Sequence, residues 1–344
     1  MVTIRQVAKE AGVSVATASR ALNGLSNVTK PTRAKIEAVA ERLNYIPHSG
    51  ARNLTKRRTD TIGVILPDLF GEFFSEVIRG IDRAVHSQGK TLLLGSMHGS
   101  QQETLQAIKA MRGRVDGLIV MPPNSVAETL HTEAFGAFPL VLLNAVPAKG
   151  KIPSVSVDSK AGARLATKHL IERGARKIVH ISGPENNRDA IDRATAFRDV
   201  MKVELGVEEP HVIAGDFCEG SGEAAVAELL ASGCAFDAIF AGNDVMAIEA
   251  MASLREAGYS IGSDVLVAGF DDVPLARYVS PGLTTVKSEI ALLGETAAKK
   301  LLGLLDGESD AGPGDMIAPR LAIRGSTGGN GEEFTPREAP ASHQ

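Results

Sequence analysis

Residues 3–24 read TIRQVAKEAGVSVATASRALNG, and their punctuation decides how the amino-terminal part of the chain folds. Thr3 is a good helix cap, and Gln6 follows three positions later, the spacing of a capping box. Val7, Ala8 and Ala11 then recur at helical spacing and form one apolar face. Gly12 supplies the left-handed residue that ends such a helix. Ser14, two residues on, caps a second helix, VATASRALN, which stops at Asn23-Gly24. Two short helices joined by a tight glycine-containing turn make a helix-turn-helix. A third helix is expected from Thr29, with Pro31 tolerated in its first turn and Ile36, Val39, Ala40 and Leu43 as its buried stripe.

In such a motif the second helix enters the major groove of DNA with its first residues on base edges. Val15 and Ala16, small and apolar, suit thymine methyls, and Arg20, a turn later, can fork onto guanine O6 and N7. Thr3, Ser14, Thr17, Ser19 and Asn23 suit phosphates, which fix register rather than sequence. The charge distribution agrees. The 344 residues carry a net charge of -4, but residues 1–60 hold eleven Lys and Arg against four Asp and Glu, a net of +7. The remainder is -11, so a short basic module on an acidic body is expected to meet a polyanion.

From residue 61 the text alternates strands and helices. TIGVILPD, KTLLLGSM, DGLIVMPP and PLVLLNAV read as strands with helical stretches such as FFSEVIRGIDRAVHSQG and TLQAIKAMRG between them. A second series follows: KIVHISGP, ATAFRDVMKVELG, HVIAGD, GEAAVAELLASG, AIFAGND, VMAIEAMASLREAG and DVLVAGFDD. Alternating units of this kind build parallel sheets covered by helices on both faces, and two series imply two lobes. The fold class is therefore α/β, with an all-α helix-turn-helix head. Ligands of open α/β sheets bind beyond the carboxyl ends of the strands, where Asp68, Asn144, Asn243, Asp244, Asp271 and Asp272 stand. Asp244 is expected to cap a helix, and Asp158 and Asp272 to serve contacts between lobes. Phe73 and Phe74 offer flat apolar faces, with Phe74 equally suited to the core, and Arg193 a donor fork.

The head TIRQVAKEAGVSVATASRALNG, its continuation VTKPTRAKIEAVAERLNYIP and the stretch HSGARNLTKRRTDTIGVILPDLFGEFFSEVIRGI together resemble the LacI/GalR family of bacterial transcription regulators. The resemblance runs over nearly the whole chain. It implies a head at 1–47, a hinge helix at 48–60 and a periplasmic-binding-protein-like core at 61–326. Lobe one would hold about 61–159 and 290–317, lobe two about 160–287 and 318–326. LTTVKSE resembles the segment where the chain crosses back to lobe one, and EIALLGETAAKKLLGLL would follow it there. Within Ala51-Arg52-Asn53-Leu54, Leu54 matches the family leucine that wedges into the minor groove at the centre of a palindrome. Asp68, Phe73, Arg193, Asn243 and Asp271 match positions lining the family's effector pocket. With Phe74 and Asn144 they make the candidate effector site. Glu72 stands where the family often has Pro, so the pocket rim is expected to differ.

The implied partners are operator DNA, a second copy of the chain and a small effector, a sugar by family precedent with nucleosides or purines as the alternative. The polar, Gly/Pro-rich tail 327–344 has no leucine heptad, so a dimer rather than a tetramer is expected, with the tail disordered. No cofactor, metal or catalytic group is implied. Cys218 and Cys234 form no ligand pattern, and the eight His no H-x-x-x-H pair. Gln88-Gly89-Lys90-Thr91 imitates the end of a phosphate loop but needs a Gly at Ala84 and joins a helix to a strand, the reverse order. Gly220-Ser221-Gly222 with Ala225 fits a dinucleotide turn only weakly. No apolar run reaches the ~18 residues of a membrane span, and MVTIRQVAKE has no secretory apolar region. A cytoplasmic, nucleoid-associated protein is the expectation.

Overall fold

A computed structural model describes residues 2–23, 27–45, 58–97, 101–123, 138–145, 152–308 and 314–328. The chain divides into two units, Met1–Asp60 and Thr61–Gln344. In the first, helices α1 (Ile4–Ala11), α2 (Val15–Leu22) and α3 (Lys30–Arg42) bury Val7, Ala8, Ala11, Ala18, Ala21 and Ile36 against one another. The local signals act as the sequence predicts. Gly12 ends α1 at φ +68, and Ser14 caps α2 by accepting from the Thr17 amide at 3.0 Å. Small alanines let three short helices pack closely, so the core relies on fit rather than bulk.

The second unit holds two six-stranded sheets. Its strands are β1 (Thr61–Leu66), β2 (Thr91–Ser96), β3 (Gly117–Val120), β4 (Leu140–Leu143), β5 (Ser154–Val157), β6 (Ile178–Ile181), β7 (Val212–Ile213), β8 (Ala238–Ala241), β9 (Leu266–Asp271), β10 (Thr284–Lys287), β11 (Asp315–Ile317) and β12 (Arg320–Ala322). The first sheet runs β11-β5-β4-β3-β1-β2 and the second β12-β10-β9-β8-β6-β7. Every pairing is parallel except β10 with β12. The central strands β3, β4, β6, β8 and β9 are buried along their whole length, which is why their text is continuously apolar rather than alternating. The helices are α4 (Glu72–Ser87), α5 (Gln101–Met111), α6 (Ser159–Glu172), α7 (Arg188–Leu205), α8 (Ser221–Ala231), α9 (Asp244–Glu256) and α10 (Ile290–Leu305).

The chain passes between sheets three times: from β5 to α6, from β10 to α10, and from β11 to β12. Helix α10 lies against α4 of the first lobe at a glycine-to-glycine approach. A Cβ on Gly80 would strike the Ala291 carbonyl, and one on Gly294 the Val77 carbonyl. Strands β5, β11 and β12 were not anticipated, and LTTVKSE is itself strand β10 before it becomes a crossing. Among the described residues no helix is long and apolar enough to cross a membrane.

Candidate functional site

The helix-turn-helix presents the face its sequence implies. Val15 is 43% exposed, and Ala16 and Arg20 also face solvent, while Ala18 and Ala21 turn into the core. The hydroxyl residues beside them partly serve the backbone. Ser14 and Thr17 hydroxyls lie 2.9 Å apart, Ser19 Oγ accepts from Asn23 Nδ2 at 3.3 Å, and the Thr3 amide donates to Gln6 Oε1 at 2.8 Å. Each hydroxyl oxygen retains acceptor or donor capacity for phosphate. Leu54 lies outside the described residues.

In the second unit, two of the expected effector residues come together at the carboxyl end of the second lobe's sheet. Arg193, in the second turn of α7, is almost fully buried. Its guanidinium lies 3.6 Å over the Phe270 ring and 5.5 Å from that of Phe217. Nη1 donates to the Gly242 carbonyl at 2.5 Å and Nε to Ser159 Oγ at 3.4 Å, while Nη2 stands 3.7 Å from Asp271 Oδ1. Asp271 closes β9 at φ +114 and is 6% exposed. Ser288 Oγ donates to its carbonyl at 3.2 Å, but its carboxylate oxygen Oδ1 has no hydrogen-bond partner. Burial pushes the Asp271 carboxyl up to about 7, against the pull of Arg193 and reinforced by the charge of Asp189.

Asp189, Ser159, Phe217 and Phe270 complete this cluster, and none was picked out from the sequence. Ser159 Oγ donates to Asp189 Oδ1 at 3.0 Å, and burial raises the Asp189 carboxyl too. The signal for Asp189 was present: it precedes Arg193 by four residues, one helical turn on the same face. Phe270 reads as core in the sequence, and only the fold lays Arg193 on it.

The other candidates make structural contacts of their own. Asn243, not Asp244, caps α9: its Oδ1 accepts from the Met246 amide at 3.0 Å, and its Nδ2 donates to the Phe217 carbonyl at 3.0 Å. Asn243 therefore holds the loop that presents Phe217. Asp244 is fully buried and ties two segments, accepting from the Val273 amide at 2.9 Å and Thr285 Oγ1 at 2.5 Å. Asn144, at φ +44, accepts from the Val157 amide at 3.2 Å. Asp158 caps α6 through the Ala161 amide at 2.9 Å. Asp272 pairs with Arg324 at 2.5 Å and Arg277 at 3.3 Å, inside the second lobe. Asp68 Oδ1 accepts from the amides of Leu69 and Phe70 at 2.6 and 3.1 Å. The Cys218 thiol is raised by partial burial and then by the charges of Asp216, Asp68 and Glu219. Phe73 and Phe74 meet edge to face at 5.4 Å and pack on the core.

The enzyme-like motifs have structural explanations. Glu249 accepts from the amides of Gly220 and Gly222 at 2.6 and 2.8 Å, so a side-chain carboxylate already fills the helix start where a dinucleotide phosphate would sit. Gln88-Gly89-Lys90-Thr91 joins α4 to β2, a helix to a strand.

Residues 3–48 match the bacterial regulatory proteins of the lacI family, and residues 167–327 match the periplasmic binding protein-like domain. The HTH-type transcriptional regulator GalR of Escherichia coli K12 is 33% identical over 332 residues, covering 95% of this chain and 96% of that protein. The ribose operon repressor of the same organism is 31% identical over 95% of this chain and 100% of its own length. The Lac repressor dimer bound to operator and the anti-inducer ONPF superposes with a TM-score of 0.84 at 28% identity, covering 95% of this chain and 99% of that one. These relatives are regulators rather than enzymes, and their likeness spans head and body together. The chain belongs to the LacI family of bacterial regulatory proteins and is a DNA-binding transcription regulator.

Proposed function

We propose that the protein is a cytoplasmic repressor that binds a pseudo-palindromic operator as a homodimer and answers to a sugar held between its two lobes. The head, 1–47, would place Val15, Ala16 and Arg20 on base edges, with Thr3, Ser14, Thr17, Ser19 and Asn23 on phosphates. The segment 48–60, with Leu54 toward the minor groove, would connect it to the core at 61–326. Two heads require two half-sites, so the operator mirrors the symmetry of the dimer.

The observation that carries the effector reading is the buried Asp271 Oδ1 without a hydrogen-bond partner, beside a guanidinium already held by Gly242 and Phe270. A buried acceptor without a partner costs about 1–3 kcal/mol, and a ligand donor removes that cost. The relatives lend support: one bears the name of the ribose operon, and the Lac repressor structure holds operator and anti-inducer together. A ligand shifts operator binding only through unequal affinity for the two lobe arrangements. Selection of genomic fragments by the purified protein is the test. Recovery of one palindrome, whose retention changes with a sugar found by thermal shift, supports the reading; recovery of no palindrome refutes it.

A further inference from the structure

Two of the three passages between the lobes meet at one carboxylate. Lys287 is the last residue of β10, which leads out of the second lobe, and Arg320 is the first of β12, which leads back into it. The antiparallel pairing of these strands sets the two residues directly opposite each other. Opposite residues of such a pair share a face, and like charges there repel. Glu289 resolves the conflict. Its Oε1 accepts from Arg320 Nη2 and stands 3.4 Å from Lys287 Nζ, so a single oxygen holds both cations. Burial raises the Glu289 carboxyl, but the Arg320 hydrogen bond and the Lys287 charge outweigh it and leave the group below its ordinary value.

The backbone at Glu289 points the same way. The residue precedes α10, yet its side chain makes no capping hydrogen bond to that helix. It adopts φ +52, a left-handed conformation that suits glycine or asparagine better than glutamate. The task that remains for its carboxylate is the pair of cations. The third passage is joined without charge: the Asp158 amide donates to the Ile317 carbonyl at 3.0 Å.

We infer that Glu289 is a positioning residue of the hinge: by holding Lys287 and Arg320 together it fixes two passages to each other and restrains the change of arrangement between the lobes. The inference needs the two lobes and their crossings, not the identity of the effector. Lys287 is partly and Arg320 largely exposed, so each ion pair by itself is modest. Loss of the carboxylate does more than remove two attractions, because it leaves two cations face to face in the few residues that absorb a hinge motion.

The test measures the distance between spin labels in the full-length protein, one on each lobe. Lys299→Cys on α10 and Val203→Cys on α7 give exposed sites, with the exposed Cys218 and Cys234 changed to serine. Labelled chain is diluted into an excess of unlabelled chain, so that pairs within one chain dominate. In Glu289→Gln the share of molecules outside the main wild-type distance is expected to rise about two- to fivefold, the scale of a partly exposed ion pair. Addition of Lys287→Gln and Arg320→Gln removes the repulsion and should return the distribution to that of the wild type. Salt at about 1 M screens the same repulsion and should narrow the single variant. A Glu289→Gln distribution equal to the wild type overturns the inference. So does a broadening that neither the triple variant nor salt reverses, which would assign Glu289 to the local fold alone. Should Glu289→Gln fail to fold, folding restored in the triple variant supports the inference, and a triple variant that also fails refutes it. Neither operator nor effector enters the measurement, so a negative result leaves the repressor reading intact.

Discussion

The carboxylate of Glu72 accepts a hydrogen bond from the backbone amide of Leu275 at 3.0 Å, and so ties the first lobe to the second. Glu72 opens α4, and Leu275 lies in the 3-10 turn Pro274–Arg277 that follows β9. The sequence singled out Glu72 as a substitution that alters the pocket rim. Its place is a latch between lobes, in a position where a proline side chain could accept nothing. A negative group at a helix start is also favoured by the helix dipole.

Removal of that carboxylate should release the Leu275 amide. In Glu72→Ala, hydrogen exchange at Leu275 is expected to quicken about tenfold, the scale of one modest hydrogen bond. Amides of the buried strand β8 should keep their rates. Unaltered exchange at Leu275 would show that the lobes hold together without Glu72.

Arg20 is the exposed residue of α2 best able to read a base. Arg20→Ala is expected to weaken binding to the selected operator by about 1–3 kcal/mol and to relax preference at one base pair in each half-site. Replacement of a lysine or arginine that meets only phosphate should instead weaken all sequences alike and flatten the salt dependence. Random-site selection with Arg20→Ala checks this, and an unchanged consensus would move the base contact elsewhere.

The packing of α10 on α4 depends on two missing side chains. Gly294→Ala sets a methyl against the Val77 carbonyl, and Gly80→Ala one against the Ala291 carbonyl. Backbone on the far side cannot turn away as a flexible side chain can. Each variant is expected to lose about 1–3 kcal/mol in urea unfolding, although alanine has the higher helix propensity. A gain in stability would show that the helices separate freely.

These contacts mark where the sequence was legible. Signals confined to neighbouring residues worked: Ser14 caps its helix, Gly12 ends one, and LVLL and AIFA are buried strands. Elements defined by remote partners did not announce themselves. Strand β5, SVSV, alternates polar and apolar residues although its pairing with β4 and β11 buries most of it. Strands β11 and β12 have three residues each, too few to show a period. In the site, Asp271 stood out as a carboxylate at a strand end, and Arg193 as a helical residue that matches the family's effector pocket. The cap at Asn243 rather than Asp244 turns on one position of helix phase, and two adjacent capping residues leave that undecided until the backbone is seen. The stacking of Arg193 on Phe270 joins residues 77 positions apart, which no local pattern encodes.

Two buried groups of the second lobe give opposite responses to acid. His180 is fully buried, stacked 4.8 Å from Phe240, with Nδ1 2.8 Å from the Phe240 carbonyl and Nε2 without a partner. Burial lowers its pKa to about 4, from 6.5. Above pH 6.5 it is neutral folded or unfolded. As pH falls from 6.5 to about 4 only the unfolded chain takes the proton, and stability drops by roughly 3 kcal/mol. Asp271 is raised from 3.8 to about 7, so between those values the folded chain holds the extra proton. Its contribution is fully present below pH 3.8 and is lost, by about 4 kcal/mol, as pH rises through 7. Between pH 4 and 6.5 the two slopes oppose each other, with the raised carboxyls of Asp189 and Asp244 adding to the Asp271 slope and the lowered His169 to that of His180. Relative to wild type, Asp271→Asn should lose stability on acidification. Relative to wild type, His180→Phe should gain stability over the same range. Chemical unfolding of both variants at pH 4.5, 5.5 and 6.5 measures the difference, and parallel curves would mean that neither group titrates in that window.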